Sequence, residues 1–210
     1  MIHLFRRIKK LSPREGYDKW AGTYHVEDNP IKNLSDEFIR SEMPDVHGKR
    51  VLDAGCGTGK ICSIAVDLGA SYVKGIDLSP VMISEAKKNC SRGSFECADL
   101  SAVTLEKFDV IICGLVLGHV ELAAPVLEKM INALNPGGHI IITDFHPFQT
   151  LMHAKRTFKS DGKTFEIKHT LHHLDEYFIL LKKSGVTVTS FKEPFFKDNP
   201  VIFGIHGILS

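Results

Sequence analysis

Val51-Leu52-Asp53-Ala54-Gly55-Cys56-Gly57-Thr58-Gly59 is the stretch whose reading decides the fold. An apolar pair closes a strand and an acidic residue ends it. Three glycines follow on alternate positions, and Ile61, Ile64, Ala65 and Leu68 then set up a helical pattern. The stretch is a strand, a tight turn and a helix N-terminus. Glycine is needed because the turn uses backbone angles closed to other residues, and because a missing Cβ lets a ligand lie against the main chain. The spacing is G-x-G-x-G, not G-x-G-x-x-G, and no Lys-Ser/Thr pair follows the last glycine as a phosphate loop requires. Asp53 adds a sign: a carboxylate just before the loop repels a pyrophosphate and suits a cationic ligand.

Outward from this turn the pattern is a regular alternation. It reads as strand 49–54, helix 59–68 ended by Gly69, strand 71–77, helix 80–90, strand 94–97, strand 107–114, helix 121–134 and strand 138–144. Short apolar strands separated by amphipathic helices mean parallel pairing with right-handed crossovers and both sheet faces covered, a doubly wound α/β fold. Before it, Asn29-Pro30 opens a helix through Leu34, Phe38 and Ile39 that Pro44 ends. After it, Leu174, Tyr177, Phe178 and Leu181 form a last helix ended by Gly185, and 186–191 and 201–205 read as two strands. Such sheets bind ligands beyond the carboxyl ends of their strands. Asp77 ends the second strand, where a carboxylate can accept both hydroxyl protons of a ribose, while Ser79 with Pro80 reads as a helix cap.

The 210 residues make one domain of ordinary size with enough chain for a sizeable core. At 43% apolar and 24% charged residues the composition is globular, and a net charge of +1 argues for no bulk attraction to nucleic acid. The longest apolar runs are strand-length and the N-terminus lacks a signal-peptide order, so a cytoplasmic protein without integral membrane association is expected. Cys56, Cys62, Cys90, Cys97 and Cys113 form no C-x-x-C pair, which favours buried reduced thiols. The eleven histidines show no metal-ligand spacing on one helix, so no metal is expected. Residues 1 to 16 mix Arg6, Arg7, Lys9, Lys10 and Arg14 with Ile2, Leu4, Phe5, Ile8 and Leu11. They read as a solvated terminal helix packed by its apolar side, ahead of an acidic membrane surface as partner.

The motif V-L-D-x-G-C-G-T-G at 51–59 resembles the first motif of class I S-adenosylmethionine-dependent methyltransferases, of the small-molecule type. The resemblance covers about residues 17 to 205. It implies a Rossmann-like, seven-stranded sheet, mostly parallel with an antiparallel edge hairpin, and S-adenosylmethionine as cofactor with S-adenosylhomocysteine as product. It also implies residue roles. Asp53, Gly55, Cys56, Gly57 and Gly59 form the cofactor turn. Asp77 takes the ribose, while Leu78 and Met82 lie near the adenine. Asp99 accepts from the adenine amino group, with Leu100 offering its backbone, and Leu115 lies in the segment beside the methionine moiety. Tyr17-Asp18-Lys19-Trp20-Ala21-Gly22-Thr23-Tyr24 is similar to the family's cofactor-covering stretch, so Tyr17 and Tyr24 would cap the cofactor with Trp20 nearby. The alternative is an aromatic packing cluster. Residues 1–44 would then be a cofactor cover. No N-P-P-Y or D-P-P-Y follows the fourth strand, which disfavours a nucleobase target.

Past Asp144 the alternation stops. The stretch 145–173 carries Asp161-Gly162 between two alternating runs, a hairpin signal, and a long insertion at the binding edge reads as a substrate cover. His146, His119 and His173 stand near strand or helix ends, where an imidazole can serve as a base; each can equally be a helix cap or a packing residue. His153, His169 and His172 ride on the insertion. The expectation is methyl transfer to O, N or C of a small-molecule metabolite, with no nucleic-acid partner and with a homodimer allowed. A non-catalytic S-adenosylmethionine-binding sensor is the alternative.

Overall fold

The computed structural model describes residues 8–24 and 26–210, so Ile2, Leu4, Phe5, Arg6 and Arg7 of the basic segment lie outside the described residues. The chain enters through a short strand, β1 (Lys9–Leu11), and helix α1 (Pro13–Tyr24). Ser12 and Glu15 form a capping box for α1: Glu15 N–H donates to Ser12 Oγ, and Ser12 N–H donates to Glu15 Oε2 at 3.0 Å. Helix α2 (Pro30–Glu42) starts where Asn29 accepts from the backbone N–H of Ile31 and Lys32, and it stops before Pro44.

The alternation follows: β2 (Arg50–Ala54), α3 (Lys60–Asp67), β3 (Tyr72–Asp77), α4 (Pro80–Asn89), β4 (Ser94–Cys97), β5 (Phe108–Gly114), α5 (Ala123–Asn132) and β6 (Leu134–Phe145). Beyond it lie α6 (Pro147–Leu151), β7 (Thr157–Ser160), β8 (Lys163–Ile167), α7 (Leu174–Lys183), β9 (Val186–Lys192), the small pair β10 (Phe195–Phe196) and β11 (Asn199–Pro200), and β12 (Ile202–Leu209).

One seven-stranded sheet has the order β4-β3-β2-β5-β6-β12-β9. Its first five strands are parallel, and β12 runs antiparallel to both of its neighbours. This is the expected mostly parallel doubly wound sheet. The order reverses beside β2, so the crevice at the carboxyl ends of β2 and β5 is where the fold leaves room for a ligand. Two details differ from the sequence pattern. Asn135-Pro136-Gly137-Gly138 is not a separate turn but a distorted start of β6, with a register shift opposite Phe108 and Val110. The last strand reaches Leu209 and lies inside the sheet, leaving β9 at the edge.

Side chains alternate between two cores, one on each face. Leu52, Ile76, Ile111, Ile140 and Ile142 pack with α5 and α7, while Val51, Val73, Val110, Ile112 and Ile141 pack with α2, α3 and α4. A third core stands apart above the carboxyl ends of the strands. There β1 pairs in parallel with β8, and β7 pairs with β8 through the Asp161-Gly162 turn. Leu11, Trp20, Phe158, Phe165 and Ile167 fill this small sheet's junction with α1. The terminal-helix expectation for residues 1 to 16 is thus corrected: Lys9–Leu11 is a strand, because Leu11 is buried against Ile167 while Lys9 and Lys10 face solvent. Trp20, the chain's single tryptophan, stacks on Phe158 with centroids 5.1 Å apart, so it serves packing.

Leu11→Ala should cost about 2–4 kcal/mol locally and loosen this cap before the main sheet unfolds. Denaturation followed by Trp20 fluorescence should then shift to lower denaturant while the far-ultraviolet transition stays; coincident transitions in the variant would show that the cap does not open separately.

Candidate functional site

At the crevice the turn 55–59 bends back under α1. Gly55 has φ +88°, and a Cβ there would collide with the Val116 side chain, so both conformation and close approach exclude larger residues. The N–H groups of Gly55 and Cys56 both donate to Ile76 carbonyl oxygen, which ties the turn to β3. Gly59 fits α3 against α4, since a Cβ would stand 3.1 Å from the Ala86 backbone. Of the expected turn residues, Gly55 and Gly57 line the cleft wall, Asp53 and Cys56 line its extension beneath α2, and Gly59 is a packing position.

Asp77 projects from the end of β3 into the cleft. Its two oxygens accept from Gly57 N–H and Ser79 N–H, each at 2.9 Å, so the carboxylate organises the turn and the start of α4 together. Burial raises its pKa, with those two backbone donors opposing the rise. Ser79 caps α4 through Met82 N–H and donates to Asp18 of α1 at 2.5 Å. Asp53 is buried, the Cys62 thiol donates to it at 3.5 Å, and burial pushes its pKa up to about 7. Two desolvated carboxylates therefore flank a glycine turn, with no lysine or arginine bonded to either among the described residues.

The remaining expectations divide. Tyr17, Tyr24, Leu78, Asp99, Leu100 and Leu115 all border the cleft. Asp99 turns its Oδ1 to Ser101 N–H and Oγ–H and is exposed. Met82, expected near the adenine, is fully buried in α4 and does not border the cleft, because its side chain points into the core. Leu115 holds a left-handed backbone, φ +59°, fixed by its N–H donating to Thr143 carbonyl at 2.8 Å. A leucine in that conformation costs on the order of 1–3 kcal/mol and marks a position the surroundings over-determine.

The histidines separate more sharply. His119 borders the cleft: its Nδ1–H donates to Lys168 carbonyl at 3.0 Å, so Nε2 is the acceptor for Tyr17 Oη–H at 2.9 Å and Arg156 Nη1 at 3.3 Å. Burial, then the Arg156 charge, lowers its pKa to about 4, which leaves a neutral imidazole with an occupied lone pair. His146 caps α6 by accepting from Phe148 N–H and pairs with Glu193 at 2.7 Å. His173 caps α7 at the surface, and Glu176 returns a bond to its N–H. Neither borders the cleft, since each stands where a helix start needs an acceptor. His153, His169 and His172 do not border it either.

Two groups escaped the sequence reading. Asp144, at the end of β6, accepts from Gly118 N–H at 2.5 Å and from Arg156 Nη2 at 3.1 Å, both partners buried. Lys32 of α2 reaches a neighbouring cavity. The strand-end position of Asp144 was a signal in the sequence; the arginine it pairs with lies in the irregular insertion and had none. Among the described residues no cluster of three or more potential metal ligands occurs, and no helix is long and apolar enough to cross a membrane.

A family model described as a methyltransferase domain matches residues 45–187. The ubiquinone biosynthesis O-methyltransferase of Neisseria meningitidis serogroup C is 32% identical over 137 residues, 60% of this chain and 57% of that protein. The malonyl-[acyl-carrier protein] O-methyltransferase of Enterobacter lignolyticus is 28% identical over 125 residues, 59% of this chain and 49% of that one. The chain thus spans about half to three fifths of the length of these curated relatives. Among solved structures, the N-methyltransferase NodS of Bradyrhizobium japonicum in complex with S-adenosyl-L-homocysteine superposes with a TM-score of 0.73 at 15% identity, over 93% of this chain and 97% of that one.

Asp53 gives a pH signature. Its folded pKa of about 7 lies above the unfolded value of about 3.9, so folding retains a proton that the unfolded chain has lost. The stability this contributes is full below pH ~4, falls as pH rises and is gone above pH ~7. Asp53→Asn should remove that fall, gaining about 2–4 kcal/mol on wild type between pH 4 and pH 8 in ligand-free denaturation. A difference between the two proteins that does not change with pH would show that burial does not hold this proton.

Proposed function

Because the chain belongs to the methyltransferase-domain family, we propose that it binds S-adenosylmethionine in this cleft and transfers its methyl group to a small molecule. The observation that carries the reading is the pair of carboxylates, Asp53 buried and Asp77 partly buried, beside a glycine turn with no lysine or arginine bonded to them among the described residues. Such a site opposes a pyrophosphate and favours a ligand with positive charge and sugar hydroxyls, which are the features of this cofactor. The residues present therefore fit it.

In this reading Asp77 accepts from the ribose hydroxyls, and Leu78, Asp99 and Leu100 border the adenine. Gly55 and Gly57 let the ligand approach the main chain, with Asp53 and Leu115 toward its amino-acid end. Tyr17 and Tyr24 close over it, so residues 13–24 act as a cover, while 145–173 supply the far wall. Bound S-adenosylmethionine supplies a methyl group already activated on a sulfonium, so the protein's work is to align an acceptor and exclude water. The chain's own residues serve that work. The apolar cap core shields the cleft, and His119, held neutral by burial and the Arg156 charge and oriented by its Nδ1–H on the Lys168 carbonyl, positions Tyr17 instead of moving a proton. The enclosed rim and the relatives above support a small acceptor.

Calorimetry with S-adenosylhomocysteine tests the cofactor site: wild type should bind it and should bind NAD much more weakly. Asp77→Ala should lose at least about tenfold in affinity, ~1.4 kcal/mol, since two hydroxyls lose their acceptor. Unchanged affinity in that variant would remove Asp77 from the site. Transfer of labelled methyl from S-adenosylmethionine into the small-molecule fraction of a cell extract is the expected activity; label confined to protein or nucleic acid would overturn the substrate class.

A further inference from the structure

A second cavity lies beside the cofactor cleft, with Tyr17, Tyr24, Leu115 and His119 bordering both. It opens between α1, the start of α2 and the insertion. Its charged lining is Lys32, Lys155 and Arg156, and no aspartate or glutamate lines it among the described residues. On the reading of the cleft given above, we propose that this cavity is the acceptor site. Its occupant is a small molecule with an apolar body and an oxyanion, a carboxylate or a phosphate, held by Lys32 and Lys155.

The three cations are not equivalent. Arg156 is already neutralised by Asp144 at 3.1 Å, and its guanidinium lies over the Phe145 ring at 3.8 Å, so it shapes the wall. Lys155 shares one carboxylate, Glu166, with Lys10, at 3.6 and 3.3 Å. One negative charge between two ammonium groups leaves positive charge over. Lys32 is the clearest case. Its ammonium donates to the Tyr24 carbonyl and stands 4.0 Å from the Tyr24 ring centre, and no carboxylate of the described residues lies within 4 Å. Glu27 and Asp36, with which Lys32 also borders the cleft's extension, bond to other groups, Glu27 to the Trp20 indole N–H and Asp36 to Lys60. Lys32 is half-buried, and burial lowers its pKa. A half-desolvated ammonium with neutral partners gains most from an anion.

Most of the remaining lining, Trp20, Tyr17, Phe145 and Ile167 among it, is apolar or aromatic and suits the body of such a ligand, with Asn29 and Thr157 as neutral polar groups. Lys32 on α2 and Lys155 in the insertion would take the acid end of the ligand. The opposite end then faces Tyr17 and His119 at the boundary with the cleft.

The test uses the full-length protein at fixed ionic strength, with and without saturating S-adenosylhomocysteine, titrated with benzoate, phenyl phosphate and the neutral isostere benzamide. At least one anion should bind the loaded protein about tenfold more tightly than benzamide, and the preferred anion distinguishes carboxylate from phosphate. Lys32→Met should remove about tenfold of that affinity, Lys155→Met less, and Lys32→Arg should restore it. Equal affinity for benzoate, phenyl phosphate and benzamide, no binding of either anion, or anion affinity untouched by Lys32→Met overturns the proposal. Loss of S-adenosylhomocysteine binding in Lys32→Met with anion binding intact also overturns it, by assigning the lysine to the cofactor. Failure of wild type to bind S-adenosylhomocysteine while an anion still binds would sink the methyltransferase reading and leave the anion site standing.

Discussion

The upper half of the molecule hangs on one buried ion pair, Asp144 with Arg156. Asp144 ends the central strand β6 and is almost free of solvent, as is its arginine. Two desolvated charges of opposite sign are tolerable only with good geometry and further bonds, and losing one partner of such a pair costs about 3–5 kcal/mol. The further bonds exist. Asp144 also accepts from Gly118 N–H and from its own neighbour Phe145, while Arg156 reaches His119. Gly118 has no side chain for a related reason: a Cβ there would stand 2.5 Å from the guanidinium. The pair thereby fixes the turn after β5, the insertion, and through His119 and Tyr17 the helix α1 that covers the cleft.

From this constraint follows the state of His119. An imidazole facing a guanidinium cannot easily take a second positive charge, and burial works in the same direction. Its Nδ1 proton is committed to Lys168 and its Nε2 lone pair to Tyr17 and Arg156. The same chain of bonds holds the Tyr17 phenol, whose ionisation burial pushes well upward. His119, a candidate base in the sequence, and Tyr17 form in the fold a hydrogen-bonded partition between two cavities.

The central fold was legible because its signals are local. Val51 through Gly59 sets a strand, a turn and a helix within nine residues, and the apolar periods of 72–77, 80–89 and 108–114 each complete themselves within one element. The position of Asp77 and Leu115 at the cleft was legible for the same reason, since strand ends in this topology converge on one crevice. What escaped has its cause far along the chain. Lys9–Leu11 is a strand only because Ile167 offers a hydrogen-bonding edge, more than 150 residues away. Arg156 acquires meaning only beside Asp144. His146 and His173 were ambiguous because the acceptor that makes a histidine a base also makes it a cap, and only the position of the neighbouring N–H decides.

The absence of a free base at the partition bears on the chemistry the site can support. An alcohol or ammonium acceptor must lose a proton near the moment of transfer, and neither His119 nor Tyr17 is in a state to accept one at neutral pH. A carboxylate or phosphate oxygen enters already ionised and needs no base. A weakly acidic hydroxyl whose ionisation the nearby cations favour needs little help. In the proposed acceptor cavity Lys32 and Lys155 would hold an acid group at the end away from the cleft, and so fix which atom of the acceptor meets the boundary. On the proposed reading, the positive charge of the recess would orient the acceptor, while His119 at its strand end holds Tyr17 in place.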